Sequence, residues 1–276
     1  MLRNRAGFTL IEVMVALVLT AIVGAAITSV FITQSKFYDQ QEKVGFARGV
    51  SRGAMNMMMS ELRMLEQDSG IVSAATDKVT VRAPYALGLA CDYSPFTVSV
   101  IPSDTFMYND SKFAGYAYRL ANGRYHYVAS STQPSAGSNA ACDAGPAVGR
   151  FPASEGGRVL TLTPAAPSSL EKGTPVLLWQ LVTYEFKDSE EVPGRLGLWR
   201  EIDGEDAEEM VAPFDSTAGF RFYVDDGAAP QSTVPADLSR ITGLELILDG
   251  LSERPNPNGT FQRVPLSTAV FFRNRR

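Results

Sequence analysis

The sequence is short of the residues that most hydrolases and metalloproteins use. It has two cysteines and one histidine in 276 residues. Two thiols without a C-x-x-C pair, beside a single imidazole, make a poor zinc site. No G-x-S-x-G, H-E-x-x-H or P-loop pattern occurs. No catalytic residue, no metal site and no cofactor is assigned. Positive charge is not in excess: the formal net charge is -5 and the sequence pI about 5.1. That excludes the chain as a whole as a basic nucleic-acid binder, though not a local basic patch. No proline precedes Pro84, and no basic residue lies between Arg5 and Lys36. No internal repeat or low-complexity tract is present.

The two gaps at the N-terminus coincide with the most organised stretch of the chain. From Val13 to Ile32 the sequence is almost continuously apolar, interrupted only by small or mildly polar residues. At about 1.5 Å of rise per helical residue, Phe8–Ile32 is long enough for a hydrocarbon core of about 30 Å. Arg3 and Arg5 precede the run and place the short N-terminus on the cytoplasmic side. The rest of the chain then lies across the membrane. A secretory signal peptide also has a basic start and an apolar core. Here the run is longer than a signal core, and Gly24-Ala25-Ala26 is the only candidate cleavage site of that kind.

Glu12 sits inside the start of this run. A carboxylate at the head of a membrane helix is costly, which makes it a candidate functional residue. Two readings stand on charge alone. It either meets a cation from a neighbouring chain, or lies at headgroup level where the helix dipole favours it.

The stretch Arg5-Ala6-Gly7-Phe8-Thr9-Leu10-Ile11-Glu12 resembles the processing signal of type IV prepilins and of the pseudopilins of type II secretion. The resemblance covers the first thirty residues or so. It implies that a prepilin peptidase cuts between Gly7 and Phe8 and that the new amine of Phe8 is N-methylated. Glu12 then pairs with the Phe amine of an adjacent subunit during assembly. Such a pair is strongly position-selective in a low-dielectric setting, whatever its net worth after desolvation. The implied partners are the peptidase, other major and minor pilins or pseudopilins, an inner-membrane assembly platform and the lipid bilayer. Many major pilins carry a proline where this chain has Ser29.

Beyond the membrane the helix is expected to continue to Ser69, with Gly70 as its C-cap. Val44, Ala47, Val50, Ala54, Met58, Leu62 and Leu65 recur at steps of three and four. A helix over 8–69 would be roughly 90 Å long. Gly45, Gly49 and Gly53 mark either a bend or a place of close packing. The methionines at 55, 57, 58, 59 and 64 read as filler where the helix meets the next layer.

From Ile71 the apolar period changes to two. Strands are expected at Lys78–Arg82, Phe96–Ile101, Gly115–Leu120, Arg124–Ser130, Arg158–Thr163, Pro175–Phe186, Arg195–Glu201, Gly219–Val224, Thr242–Leu248 and Pro265–Phe272. Asn122-Gly123 joins one hairpin and a loop with Pro193-Gly194 a second. The fold class is therefore α+β, a long helix followed by an antiparallel β-rich domain. The chain divides into a leader at 1–7, a helix at 8–69 that spans the membrane to about residue 32, and a β domain at 70–276.

Cys91 and Cys142 lie past the membrane helix, in polar, loop-like surroundings and in a compartment that should be oxidising. A disulfide between them is expected. His126 alternates with Tyr125 and Tyr127 and reads as a surface strand residue, not a base. The acidic stretch 201–209 could hold calcium around Gly204 but misses the EF-hand spacing, so it reads as a solvated hairpin or loop edge.

The C-terminal half looks like the W-type minor pilins and J-type pseudopilins, through pieces such as Leu198-Trp199-Arg200-Glu201, Gly219-Phe220-Arg221-Phe222-Tyr223 and Phe271-Phe272-Arg273. That resemblance implies a two-sheet body and a minor subunit. The function implied is a non-enzymatic subunit in the assembly of a type IV pilus or type II secretion pseudopilus, in a tip or initiation complex. The alternative is a membrane-tethered β domain that binds a ligand or partner without forming a filament.

Overall fold

A computed structural model of the chain describes residues 9–101, 111–143, 150–225 and 227–272. The first element, α1, is one continuous helix of 53 residues, Leu10–Leu62, about 80 Å long. Its buried residues are Ala47, Val50, Ser51, Ala54, Met58 and Leu62, the three-and-four stripe expected from the sequence. Glycines 45 and 49 bring no neighbour close, since an added Cβ would meet nothing within 4 Å at either, whereas one at Gly53 would lie 3.8 Å from Val211 Cγ2.

The helix stops seven residues before the expected Ser69. Met64 and Leu65 already bond back three residues, to Glu61 and Leu62. Burial decides this: Leu65 and Glu66 are both buried, at 0% and 2% exposure, as the chain turns onto the sheet. Gly70 is therefore not a helix cap. Its N–H closes a separate turn on the Glu66 carbonyl, and a Cβ there would meet that oxygen at 2.5 Å.

Fifteen strands follow among the described residues. They are β1 (Ile71–Ala74), β2 (Lys78–Tyr93), β3 (Phe96–Val100), β4 (Gly115–Arg119), β5 (Tyr125–Ala129), β6 (Ser135–Ala136), β7 (Arg158–Leu162) and β8 (Pro175–Asp188), then β9 (Leu196–Ile202), β10 (Glu208–Phe214), β11 (Gly219–Val224), β12 (Ile241–Ile247), β13 (Gly250–Leu251), β14 (Arg263–Val264) and β15 (Ser267–Phe271). A short helix, α2 (Asn139–Asp143), precedes β7. Twelve strands form one sheet in the order β14-β13-β10-β9-β8-β2-β3-β7-β6, with β1 on β2, β4 on β8 and β5 on β4. The small sheet is β11-β12-β15. Neighbouring strands pair antiparallel throughout the described residues.

Two long strands carry this layout. β2 and β8 pair from Lys78↔Glu185 to Leu89↔Pro175 and so run through two separate cores. The first core joins the stripe of α1 to Val79, Val81, Tyr184 and Phe186 of the large sheet and to Phe220, Leu244 and Val270 of the small one. The second lies past the C-terminal end of α1 and contains no residue of that helix; Phe96, Val98, Tyr116, Leu160 and Leu178 are at its centre.

The strand expected at Lys78–Arg82 ends two residues before Pro84, which lacks the N–H for a ladder bond. The strand continues, and the register slips between Pro84 and Ala86. β10 was not expected at all: Glu208, Glu209 and Pro213 disguise it, and its ladder is bulged twice against β9. Both expected hairpins are present. β4 and β5 turn at Asn122-Gly123, with Gly123 at φ 86°. β8 and β9 turn at Pro193-Gly194, with Gly194 at φ 78°.

Candidate assembly site on the N-terminal helix

Thr9 precedes the first helical residue and Glu12 occupies the third position of the first turn. Thr9 Oγ1 accepts from the Glu12 amide at 3.4 Å, and Glu12 Oε2 accepts from the Thr9 amide and hydroxyl, each at 2.9 Å. This reciprocal arrangement is a capping box. It satisfies amide donors that a helix start leaves open. The pattern T-x-x-E is plain in the sequence and identifies a third role for Glu12 that charge arguments overlooked. Both bonds that Glu12 accepts from Thr9 use Oε2, and the Glu12 side chain lies on an exposed stretch of the helix.

Among the described residues, nothing of the chain's own domain covers this part of the helix. Every residue from Thr9 to Glu42 is exposed, and Leu10, Ile11, Leu17 and Phe31 are among the most exposed apolar side chains in the molecule. A contiguous apolar surface of this extent is an interaction surface, for lipid or for other helices. Three of its hydroxyls are satisfied internally: Thr20, Thr28 and Thr33 each donate to the carbonyl four residues back, on Ala16, Gly24 and Ser29. A span in hydrocarbon requires that.

The second half of α1 is clamped to the β domain. Gly250 N donates to Ser51 Oγ at 3.1 Å, and a Cβ on Gly250 would lie 2.3 Å from the Ala47 carbonyl oxygen. Close contact of strand and helix requires glycine there. Further along, Glu61 accepts from Arg200 Nη2 at 2.7 Å and from the Tyr184 hydroxyl at 2.9 Å. Burial, with the Glu61 charge next, pushes the Tyr184 phenol far above its ordinary range. The Glu61 charge also raises the Arg200 guanidinium against the opposing effect of its burial. Past the helix end, the buried Glu66 carboxylate accepts from the Tyr125 amide of β5 at 2.9 Å. Desolvation raises its pKa, partly offset by that bond and by Arg124. Sequence spacing gives no sign of these contacts, whose partners are 59 to 199 residues apart.

Gly7 and Phe8 lie outside the described residues, as do Arg3 and Arg5. Cys91 and Cys142 form a disulfide. Their surroundings differ from the expected polar loops: Cys91 is on β2, Cys142 is on α2, and both are buried. His126 is exposed on β5, with its ring 5.3 Å from that of Tyr118. The acidic stretch is the β9–β10 hairpin, turning at Gly204 with φ 85°. No group of three or more His, Cys, Asp or Glu converges on a possible metal position among the described residues. An open cleft of about 770 Å³ lies between the β4–β5 turn and residues 167–175, lined in part by Tyr118, Arg119, Leu170 and Lys172.

With this geometry in hand, the comparison with known families is direct. Residues 2–28 match the model of the prokaryotic N-terminal methylation motif. This is the type IV prepilin signature. The match covers the N-terminal part alone, which is type IV pilin-like, and the exposed helix that it opens is long and apolar enough to cross a membrane. The motif implies processing by prepilin peptidase and partners of the pilin type. The chain has no match among curated proteins or solved structures.

Proposed function

We propose that the chain is a non-enzymatic filament subunit, a minor pilin or a type II pseudopilin. Prepilin peptidase cuts between Gly7 and Phe8, and the Phe8 amine is methylated. The helix to about Ile32 then holds the subunit in the inner membrane, with the β domain on the far side. Glu12 joins it to neighbouring subunits in a pilus or pseudopilus, in a complex that starts assembly. The W-type and J-type resemblance of the C-terminal half supports the minor role.

One observation carries this reading. A methylation motif opens a continuous helix whose N-terminal part is exposed among the described residues. The soluble half of the same helix is locked to that domain through Ser51 and Glu61. A helix built this way transmits its packing in the membrane directly to the β domain. The test is Glu12→Ala. Processing, disulfide formation and folding should persist while incorporation into sheared filaments is impaired; unchanged incorporation would remove the assembly role.

A second reading is favoured by the open cleft beside the β4–β5 turn. It makes the chain a tethered β domain that binds a ligand at this cleft and forms no filament. It requires Gly7 to remain uncut.

A further inference from the structure

A cation drawn out of water into a folded domain needs its charge met. In this chain Arg200 meets Glu61, Arg240 meets Asp225, Arg263 meets Asp249 and Arg124 meets Asp68. Arg82 on β2 has no carboxylate within ion-pair distance among the described residues. It is half-buried, and its guanidinium carbon lies 5.7 Å from the ring centre of Tyr127 and 5.5 Å from that of Trp179. Nη1 donates to the Ser69 carbonyl, the one hydrogen bond of this side chain among the described residues. Burial lowers the Arg82 pKa, and the Tyr127 phenol acts in the opposite direction.

Arg82 lines an open pocket of about 340 Å³ together with Leu120, Asn122, Arg124 and His126. That volume is in the range of small-ligand sites. The pocket shares only Leu120 with the larger cleft beside the β4–β5 turn. The carboxylates nearby are already engaged. Asp68, on the pocket wall, pairs with Arg124, and Glu66 accepts from the Tyr125 amide with both oxygens. A guanidinium carries five donors in a planar fork, so most of the Arg82 fork is left for a ligand.

We propose that this pocket binds an acidic sugar, with the sugar carboxylate on Arg82. A planar carboxylate matches the guanidinium fork bidentately. A phosphate dianion would need a second open cation, and Arg124 is held by Asp68. Beyond the charge, the lining is polar and aromatic. Asn122 Oδ1 accepts from the Arg124 amide at 3.0 Å, while its amino group makes no hydrogen bond among the described residues. His126 and Tyr127 stand beside it, and Leu120 is the one aliphatic side chain of the lining. Such a wall gives sugar hydroxyls partners and gives an apolar peptide side chain little to bury against. The site serves a filament subunit and a tethered domain alike, so it does not depend on either reading.

The test titrates the purified full chain in a detergent without a sugar headgroup. Trp179 adjoins Arg82, and Trp199→Phe leaves it as the sole tryptophan, so its emission reports binding. Calorimetry repeats each titration, because a substitution beside Trp179 also changes its baseline. The probes are glucuronate, N-acetylneuraminate, glucose, acetate and inorganic phosphate. At least one of the two acidic sugars should bind saturably, at a concentration roughly tenfold or more below acetate and phosphate, and glucose should not bind. Arg82→Met should abolish binding. Arg82→Lys keeps the charge and loses the fork, and should weaken binding roughly tenfold. The Cys91–Cys142 disulfide and an unchanged circular dichroism spectrum show that each variant is folded; if the Met variant is not, the Lys variant decides. No saturable binding of either acidic sugar would overturn the proposal. So would acetate or phosphate binding as tightly as the sugars, or affinity unchanged in Arg82→Lys.

Discussion

The Glu61 carboxylate on α1 accepts from the Arg200 guanidinium on β9 at 2.7 Å, and neither side chain is more than a fifth exposed. This pair holds the end of the long helix to the middle of the large sheet. Glu61→Ala leaves Arg200 half-desolvated and the Tyr184 hydroxyl without its acceptor. The expected loss of stability is about 2–4 kcal/mol, read from urea unfolding of the full chain in detergent. Glu61→Leu with Arg200→Met should recover part of that loss, because the desolvation cost disappears with both charges. A loss below about 0.5 kcal/mol for Glu61→Ala, the level of an exposed pair, would show that the contact contributes nothing.

Alkaline pH should weaken the fold through its buried tyrosines. Burial raises Tyr116 to about 12 and raises Tyr127 and Tyr184 further. Unfolded tyrosine ionises near pH 10, so the native state holds protons that the unfolded state releases. The contribution is fully present below about pH 10 and is lost as pH rises from there toward the folded values. Tyr184 alone should lower stability by about 1.4 kcal/mol per pH unit in that window. Urea midpoints between pH 8 and 11.5, with phenolate absorbance, check this. Tyrosines that all titrate near pH 10 in the folded chain would contradict it.

Glu66 gives the opposite test, at low pH. Desolvation raises its carboxyl, so its favourable contribution is present below the unfolded carboxylate pKa. It is lost as pH rises through the raised folded value. Glu66→Gln keeps an acceptor for the Tyr125 amide and removes the buried charge; at pH 7 it should be neutral or stabilising. Glu66→Ala leaves that amide without its acceptor and should cost about 1–3 kcal/mol. A Gln variant as unstable as the Ala variant would show that the charge itself is needed.

The Cys91–Cys142 bridge spans 51 residues of sequence and belongs to the end of the molecule remote from α1. On the chain-entropy model such a loop contributes roughly 4 kcal/mol, less any native strain. Reduction, or Cys91→Ala with Cys142→Ala, should loosen the second core first. Amide exchange should rise in β3 and β7 before it rises in β9. Uniform loss of protection would mean that the two cores unfold as one.

What could be read from the sequence was local. Basic residues, an apolar run and a glutamate identify the N-terminal segment within thirty positions. Ala47, Val50, Ala54, Met58 and Leu62 repeat often enough to show which face of the helix is buried. Asn122-Gly123 identifies its hairpin because the turn requires positive φ. Tertiary packing overrode local preference elsewhere. Leu65 continues the helical period yet lies beyond the helix, since burial against the sheet outweighs one more turn. Pro84 and Pro213 each lack a ladder donor, yet both lie inside strands where the register shifts. The clamp of Glu61 on Tyr184 and Arg200 has no local signature at all.

The most direct measurement of the central claim is the intact N-terminal mass of the protein taken from membranes of its native host. The account predicts a chain that begins at N-methylated Phe8. A chain beginning at Met1 would contradict it in favour of the tethered domain, and a start beyond Gly24 would make the apolar run a secretory signal.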